Sequence, residues 1–190
     1  MISERDMTLA VDMKGERSVV GWLASEKLNG CRAFWDGRQF WTRGGHVIDA
    51  PEWFTRDLPG VPLDGEIHCG RGHGTGNNNS AFKVASNAVR RGGEWFGATD
   101  DGHALAFAVF DFPQSAGGWT QRMAEARKAV RGCVQAAAVR VTRITDIHHF
   151  TDYLTRLRRL GAEGGMFRNP ETTGYETGRS ENLLRFKFEI

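Results

Sequence analysis

The chemistry this sequence can perform rests on a lysine, two carboxylates and several arginines that stand next to glycine. Lys27 lies in Ser25-Glu26-Lys27-Leu28-Asn29-Gly30-Cys31-Arg32. That stretch follows apolar Gly21-Trp22-Leu23-Ala24 and leads into Ala33-Phe34-Trp35-Asp36, and both flanks read as buried strands. An amine at such a junction, partly dry and beside other cations, loses its proton more readily and becomes a nucleophile. Gly30 lets backbone approach a ligand closely, and Arg32 has the fork that suits a ribose or a phosphate. A lysine beside a turn is also often merely solvated, and Lys-x-Asn-Gly alone does not separate the two readings.

The carboxylates are Glu66, in Leu63-Asp64-Gly65-Glu66-Ile67-His68, and Glu163, in Glu163-Gly164-Gly165-Met166-Phe167-Arg168. Glycine and apolar neighbours are an unfavourable setting for an acid that makes no contacts. A metal, a sugar hydroxyl or an ordinary salt bridge would each answer that need. Arg185 and Lys187 stand two apart in an apolar run, so on a strand they point to one face. That face meets either an anion or plain solvent. His68, Cys69 and His73 are close in sequence, but no second ligand pair accompanies them and no zinc site is expected.

The elements that must position these groups follow from pattern. A short strand is expected near Thr8–Val11, then strands at 21–27, 31–36 and 39–42, the last two joined by the hairpin turn Asp36-Gly37-Arg38. Pro51 opens a short helix to Leu58, and Pro62–His68 returns as a strand with an acid exposed. The glycine- and asparagine-rich stretch 69–79 is expected to be a mobile surface loop. Ser80 would cap a helix to Arg91, and a glycine-rich turn would cover 92–102. Ala104–Phe112 reads as a buried central strand. A helix from Thr120 to Arg131, a strand Val139–Ile144, a helix Ile147–Leu160 stopped by Gly161, and strands Gly164–Phe167 and Leu183–Phe188 complete the chain. The expectation is one α+β domain over residues 1–190, with mostly antiparallel sheets flanked by helices.

The 190 residues are enough for a proper core. A net charge of +2 does not by itself announce a nucleic-acid binder, although arginines cluster at Arg90-Arg91 and at Arg156, Arg158 and Arg159. Three cysteines, without framework spacing, suit a reducing compartment. No run is long and apolar enough for a membrane span and the N-terminus is charged, so an intracellular, cytoplasmic protein with no membrane partner is expected.

In order and separation, the islands around Lys27, Thr42-Arg43-Gly44-Gly45, Glu66, Phe107–Phe112, Glu163 and Leu183–Lys187 resemble the nucleotidyltransferase motifs of the ATP-dependent DNA ligases. The likeness is to the compact bacterial and phage type, which carries Ser-Glu-Lys-Leu-Asp-Gly-x-Arg-Ala-x-Trp-Asp-Gly; here Asn29 replaces Asp. The resemblance covers roughly residues 8–190 and implies the ATP-grasp-like adenylation fold. It makes Lys27 the nucleophile that takes AMP from ATP. It places Glu26, Arg32, Glu66, Phe110, Arg185 and Lys187 at the nucleotide, Glu66 and Glu163 at magnesium, and Phe110 stacked on adenine, with Phe107 and Phe112 competing for that place. Arg32, Arg43, Arg90 and Arg91, with the 69–79 loop, would meet nicked double-stranded DNA. The implied outcome is nick sealing in repair, replication or recombination, by a monomer.

Asn29 keeps an acceptor oxygen but loses a charge, which leaves RNA ligation open, and a nucleic-acid-binding module without turnover is the further alternative. Arg185 stands where lysine is usual. The family continues into an OB-fold domain that orients pyrophosphate, and none is read in this sequence. If that piece is supplied in trans or is absent, self-adenylation should be slow while sealing of a pre-adenylated nick survives.

Overall fold

The computed structural model describes residues 2–15, 17–70, 78–91, 93–97 and 104–188, and for 78–80 and 91 the backbone only. The strands are β1 (Thr8–Asp12), β2 (Leu23–Lys27), β3 (Cys31–Trp35), β4 (Phe40–Thr42), β5 (Val47–Ile48), β6 (Leu63–His68), β7 (Ala106–Asp111), β8 (Ala136–Ala138), β9 (Thr142–Arg143), β10 (Gly164–Arg168) and β11 (Gly178–Lys187). The helices are α1 (Glu52–Thr55), α2 (Asn78–Arg91), α3 (Trp119–Ala129) and α4 (Ile147–Arg159). Two sheets result, one ordered β1-β11-β10-β2-β9 and the other β5-β4-β3-β6-β7-β8. Most neighbours are antiparallel as expected, but β1 with β11 and β7 with β8 are parallel.

Each helix covers a sheet face with the residues its periodicity offers. Ala81, Ala85, Ala88 and Val89 of α2 enter the core of the six-stranded sheet, where Trp35, Phe40, Phe54 and Phe107 pack ring against ring. Phe150, Tyr153 and Leu154 of α4 lie over Phe167 and Leu184 of the other sheet. From α3, Trp119 and Met123 meet Leu23 of β2 while Ala126 joins the opposite core, so this helix ties the two sheets together. Asp146 caps α4 through the His149 N–H, and Gly161 follows the helix at φ +70°.

Several sequence expectations are corrected. Pro51 precedes its helix as the cap, and that helix ends at Thr55 rather than Leu58. Helix α2 starts at Asn78, two residues before Ser80, and α3 starts at Trp119 after Gly118. The run 139–144 is not one strand. Its end belongs to β9 in the five-stranded sheet, while the preceding Ala136–Ala138 forms β8 in the other, so 139–141 is a crossing between sheets. Local β-propensity carries no information about which sheet a strand joins. Strand β11 begins five residues before Leu183, and β5 had no sequence signal at all. The loop expected at 69–79 lies largely outside the described residues, as does most of the turn expected at 92–102.

Candidate active site

Lys27 ends β2 where the chain leaves one sheet, and after three intervening residues Cys31 opens β3 in the other. Gly30 sits in that crossing because nothing larger fits. A Cβ there would lie 2.3 Å from the Ile67 carbonyl oxygen of β6. The tight approach brings the Gly30 N–H to Glu66 Oε1 at 2.6 Å. The glycine, the acid and the crossing are therefore one construction.

Sheet register then sorts the side chains into rows. Along β2, β10 and β11, Lys27 lies opposite Gly164 and Gly164 opposite Lys187; one step on, Ser25, Met166 and Arg185 align; the next row is Leu23, Arg168 and Leu183. Residues directly opposite share a face. That face meets Arg32, Glu66 and Phe110 of the other sheet around a cavity of about 170 Å³. A wider cleft of about 690 Å³ adjoins it and runs past Asn29, Arg43, Arg90, Glu163 and Lys187.

At the junction, Lys27 Nζ donates to Glu163 Oε2 at 2.6 Å, and Lys187 Nζ lies 3.0 Å from Glu163 Oε1. Burial pushes the Glu163 carboxyl upward, but the hydrogen bond and charge of Lys27, with Lys187, outweigh it and hold the group below its ordinary range. Glu66 behaves oppositely. Burial raises it to about 7 against the opposing pull of Lys27, the Gly30 N–H and Arg32. Arg185 is held by both oxygens of Asp12, at 2.6 and 3.1 Å, and each partner is shifted toward its charged form by that contact.

Phe110 owes its place to a β-bulge. Register between β6 and β7 shifts so that Gly65 faces Val109 and Asp64 faces Asp111, leaving Phe110 unpaired. Its ring lines the cavity, whereas Phe107 is fully buried and Phe112 packs at the edge of the same core. The three candidates are thus distinguished by position. Below the ring, Arg32 grips Asp64 with Nε at 2.6 Å and Nη2 at 2.5 Å, while Tyr175 donates to the same carboxylate. The Arg32 guanidinium lies 4.7 Å from the Phe110 ring centre. Asp64 is completely buried and Glu66 half-buried, which corrects the expectation of an exposed acid in β6.

No protein-family model matches the chain. It is 29% identical over 173 residues to a DNA ligase of Haemophilus influenzae, covering 89% of this chain and 59% of that relative. Among solved structures it is similar to one from a structure-function study of Lig E DNA ligases, with a TM-score of 0.78 and 26% identity over 96% of this chain and 68% of that one. It is also similar to the Chlorella virus DNA ligase-adenylate, with a TM-score of 0.75 and 21% identity over 95% and 68% of the two chains. The ATP complex of the bacteriophage T7 ATP-dependent DNA ligase matches at a TM-score of 0.65 and 14% identity, over 95% and 68%. The fold is that of the nucleotidyltransferase domain of ATP-dependent DNA ligases. The chain spans 59% of the curated relative's length.

On this ligase fold, Glu26, Lys27, Arg32, Glu66, Phe110 and Arg185 all line the inner cavity, while Lys187 and Glu163 stand in the adjoining cleft. Arg43 lines both, with its guanidinium on Glu4 at 2.8 Å, and exposed Arg90 shares the outer cleft. The side chain of Arg91 lies outside the described residues. Asp12, Asp111, Arg122, Trp119, Arg168 and Tyr175 were not singled out from the sequence. Asp111 and Arg168 lie inside the motifs and so were within reach. Nothing local marks Tyr175, which meets Asp64 across 111 positions of chain.

Proposed function

We propose that the chain is the nucleotidyl-transferring unit of an ATP-dependent DNA ligase. The observation that carries this reading is the placement of Lys27 Nζ on Glu163 at the junction of the inner cavity and the outer cleft, with Lys187 on the same carboxylate. The residues fit a nucleotide. Phe110 presents a ring at the cavity, and two guanidinium nitrogens of Arg168, which also lines it, are buried without a hydrogen-bond partner.

In this reading Lys27 Nζ passes its proton to solvent and attacks the α-phosphorus of ATP. A phosphorus–nitrogen bond forms, the bond to the bridging oxygen breaks and pyrophosphate leaves, so AMP remains on the lysine. Lys187 and Arg185 face the developing phosphate charge from one side of the sheet, where fixed cations favour the transition state. Reaching that arrangement requires Arg185 to leave Asp12 and Lys27 to leave Glu163. Glu163 and Glu66 would hold magnesium, which is typically bound by one or two carboxylates together with substrate phosphates and screens their charge. Arg32 is fixed on Asp64, so it supports Phe110 and offers only its outer edge to a ribose or to nicked DNA. Arg43 and Arg90 would track the DNA backbone, where basic side chains set position rather than sequence. The reading includes an intracellular monomer that acts with an OB-fold unit.

The test is incubation with α-labelled ATP and magnesium, followed by a nicked duplex. Label on Lys27 that is absent in Lys27→Ala and moves to the 5′-phosphate of a DNA nick is expected. No label from ATP and no sealing of a pre-adenylated nick would overturn the reading, and transfer to RNA nicks alone would redirect it to RNA.

A further inference from the structure

Arg168 lines the cavity, on the same face of β10 as Met166, between Leu23 and Leu183 of the neighbouring strands. It is 3% exposed. Its Nη2 lies 3.2 Å from Asp111 Oδ2. That carboxylate also accepts from Arg122, at 2.6 Å on Oδ1 and 3.3 Å on Oδ2. One acid therefore serves two guanidiniums. Arg122 has further acceptors in the Gly117 and Gly174 carbonyls, whereas Arg168 Nε and Nη1 have none. Among the described residues the sole other buried side-chain atom without a partner is Thr172 Oγ1. The guanidinium lies 5.2 Å from the Trp119 ring centre, and the Trp119 indole N–H donates to the Phe110 carbonyl at 2.9 Å, so Arg168 and Phe110 are joined through one intervening ring. Burial lowers the Arg168 guanidinium from its ordinary value despite Asp111.

Buried N–H groups without acceptors are unfavourable, and charged ones more so. An acceptor brought into this cavity gains what the protein itself does not provide. We propose that Arg168 is a nucleobase-reading residue, its unpaired N–H groups donating to a ring nitrogen of the purine that stacks on Phe110. The inference rests on the nucleotide reading above and adds to it a side-chain contact to the base. A ring nitrogen replaced by C–H leaves the donor buried and unpaired, a loss of roughly tenfold or more in affinity.

The experiment uses the whole chain, freed of bound AMP with pyrophosphate, and titrates it calorimetrically with AMP and its 1-deaza, 3-deaza and 7-deaza analogues. One analogue is expected to bind roughly tenfold more weakly than AMP. That difference should shrink to about twofold or less in Arg168→Met and Arg168→Lys, the second of which keeps a cation for Asp111 if the first fails to fold. Equal binding of all four ligands, or a deaza penalty of the same size in the folded variant, would overturn the assignment. If lysyl-AMP forms from ATP while the scan is flat, only the role of Arg168 falls. If neither AMP binding nor lysyl-AMP is seen, the nucleotide reading falls and takes this inference with it.

Discussion

Glu163 and Asp111 are the same motif in two settings, one carboxylate shared between two cations. Glu163 stands between Lys27 and Lys187, whose side chains are 19% and 52% exposed. Asp111 stands between Arg122 and Arg168, at 0% and 4%. In the first, water is at hand, the ammoniums are single points on flexible stems, and an incoming phosphate can replace the acid at little cost. In the second, removal of the acid leaves two buried guanidiniums without their counter-charge. The exchangeable pair sits at the reacting lysine, and the buried pair ties the bulged strand, α3 and β10 together while its Arg168 also lines the cavity.

The largest effect should come from the buried pair. Asp111→Asn is expected to destabilise the protein by about 3–5 kcal/mol, as breaking a buried pair does. Urea unfolding checks it, and a loss below about 1 kcal/mol, the range of an exposed pair, would erase the distinction between the two settings.

Glu66 lines the same cavity, and its pH dependence sharpens the contrast. Its carboxyl is raised in the folded protein, from 4.5 to about 7. The folded state therefore holds more protons than the unfolded state in that window, and stability falls as pH rises through it, by up to about 3 kcal/mol. Glu163 is lowered. Its contribution is present above about pH 4.5 and is lost as pH falls through its depressed value. Melting curves of Glu66→Gln against the parent protein should show the slope between pH 4.5 and 7 removed, while the acid-side loss stays.

At the exchangeable pair, Glu163→Gln should cost about 1 kcal/mol of stability or less, yet slow lysyl-AMP formation roughly a hundredfold. A stability loss as large as that of Asp111→Asn would show the site to be structural instead. The smallest change is expected from Asp12→Asn. It frees Arg185 and should leave the unfolding midpoint unmoved while tightening AMP binding about threefold, a rim-charge effect that added salt weakens.

Much of the fold was legible because periodicity and turn chemistry are local. The hairpin at Asp36–Arg38, the helix stopped by Gly161 and the buried strand around Val109 each follow from side chains within a few positions. The two-sheet pairing was not legible. The run at 139–144 is uniformly strand-like, and nothing in it says that it crosses between sheets. Helix α2 begins at Asn78, so the serine that looked like its cap lies within its first turn.

The candidate site divides the same way. By itself the sequence determined which groups can react: a lysine before a glycine turn, two acids beside glycine, two cations spaced two apart. It also determined their order along the chain, which carried the family likeness. Only the tertiary structure decided what each group touches. Register placed Lys27 and Lys187 on either side of Gly164, a bulge separated Phe110 from Phe107 and Phe112, and long-range folding brought Tyr175 to Asp64 and two arginines to Asp111. The reason is physical. Side-chain type and local spacing set what a residue is able to do, while burial and pairing, which set its charge and its freedom, arise from contacts between segments far apart in sequence.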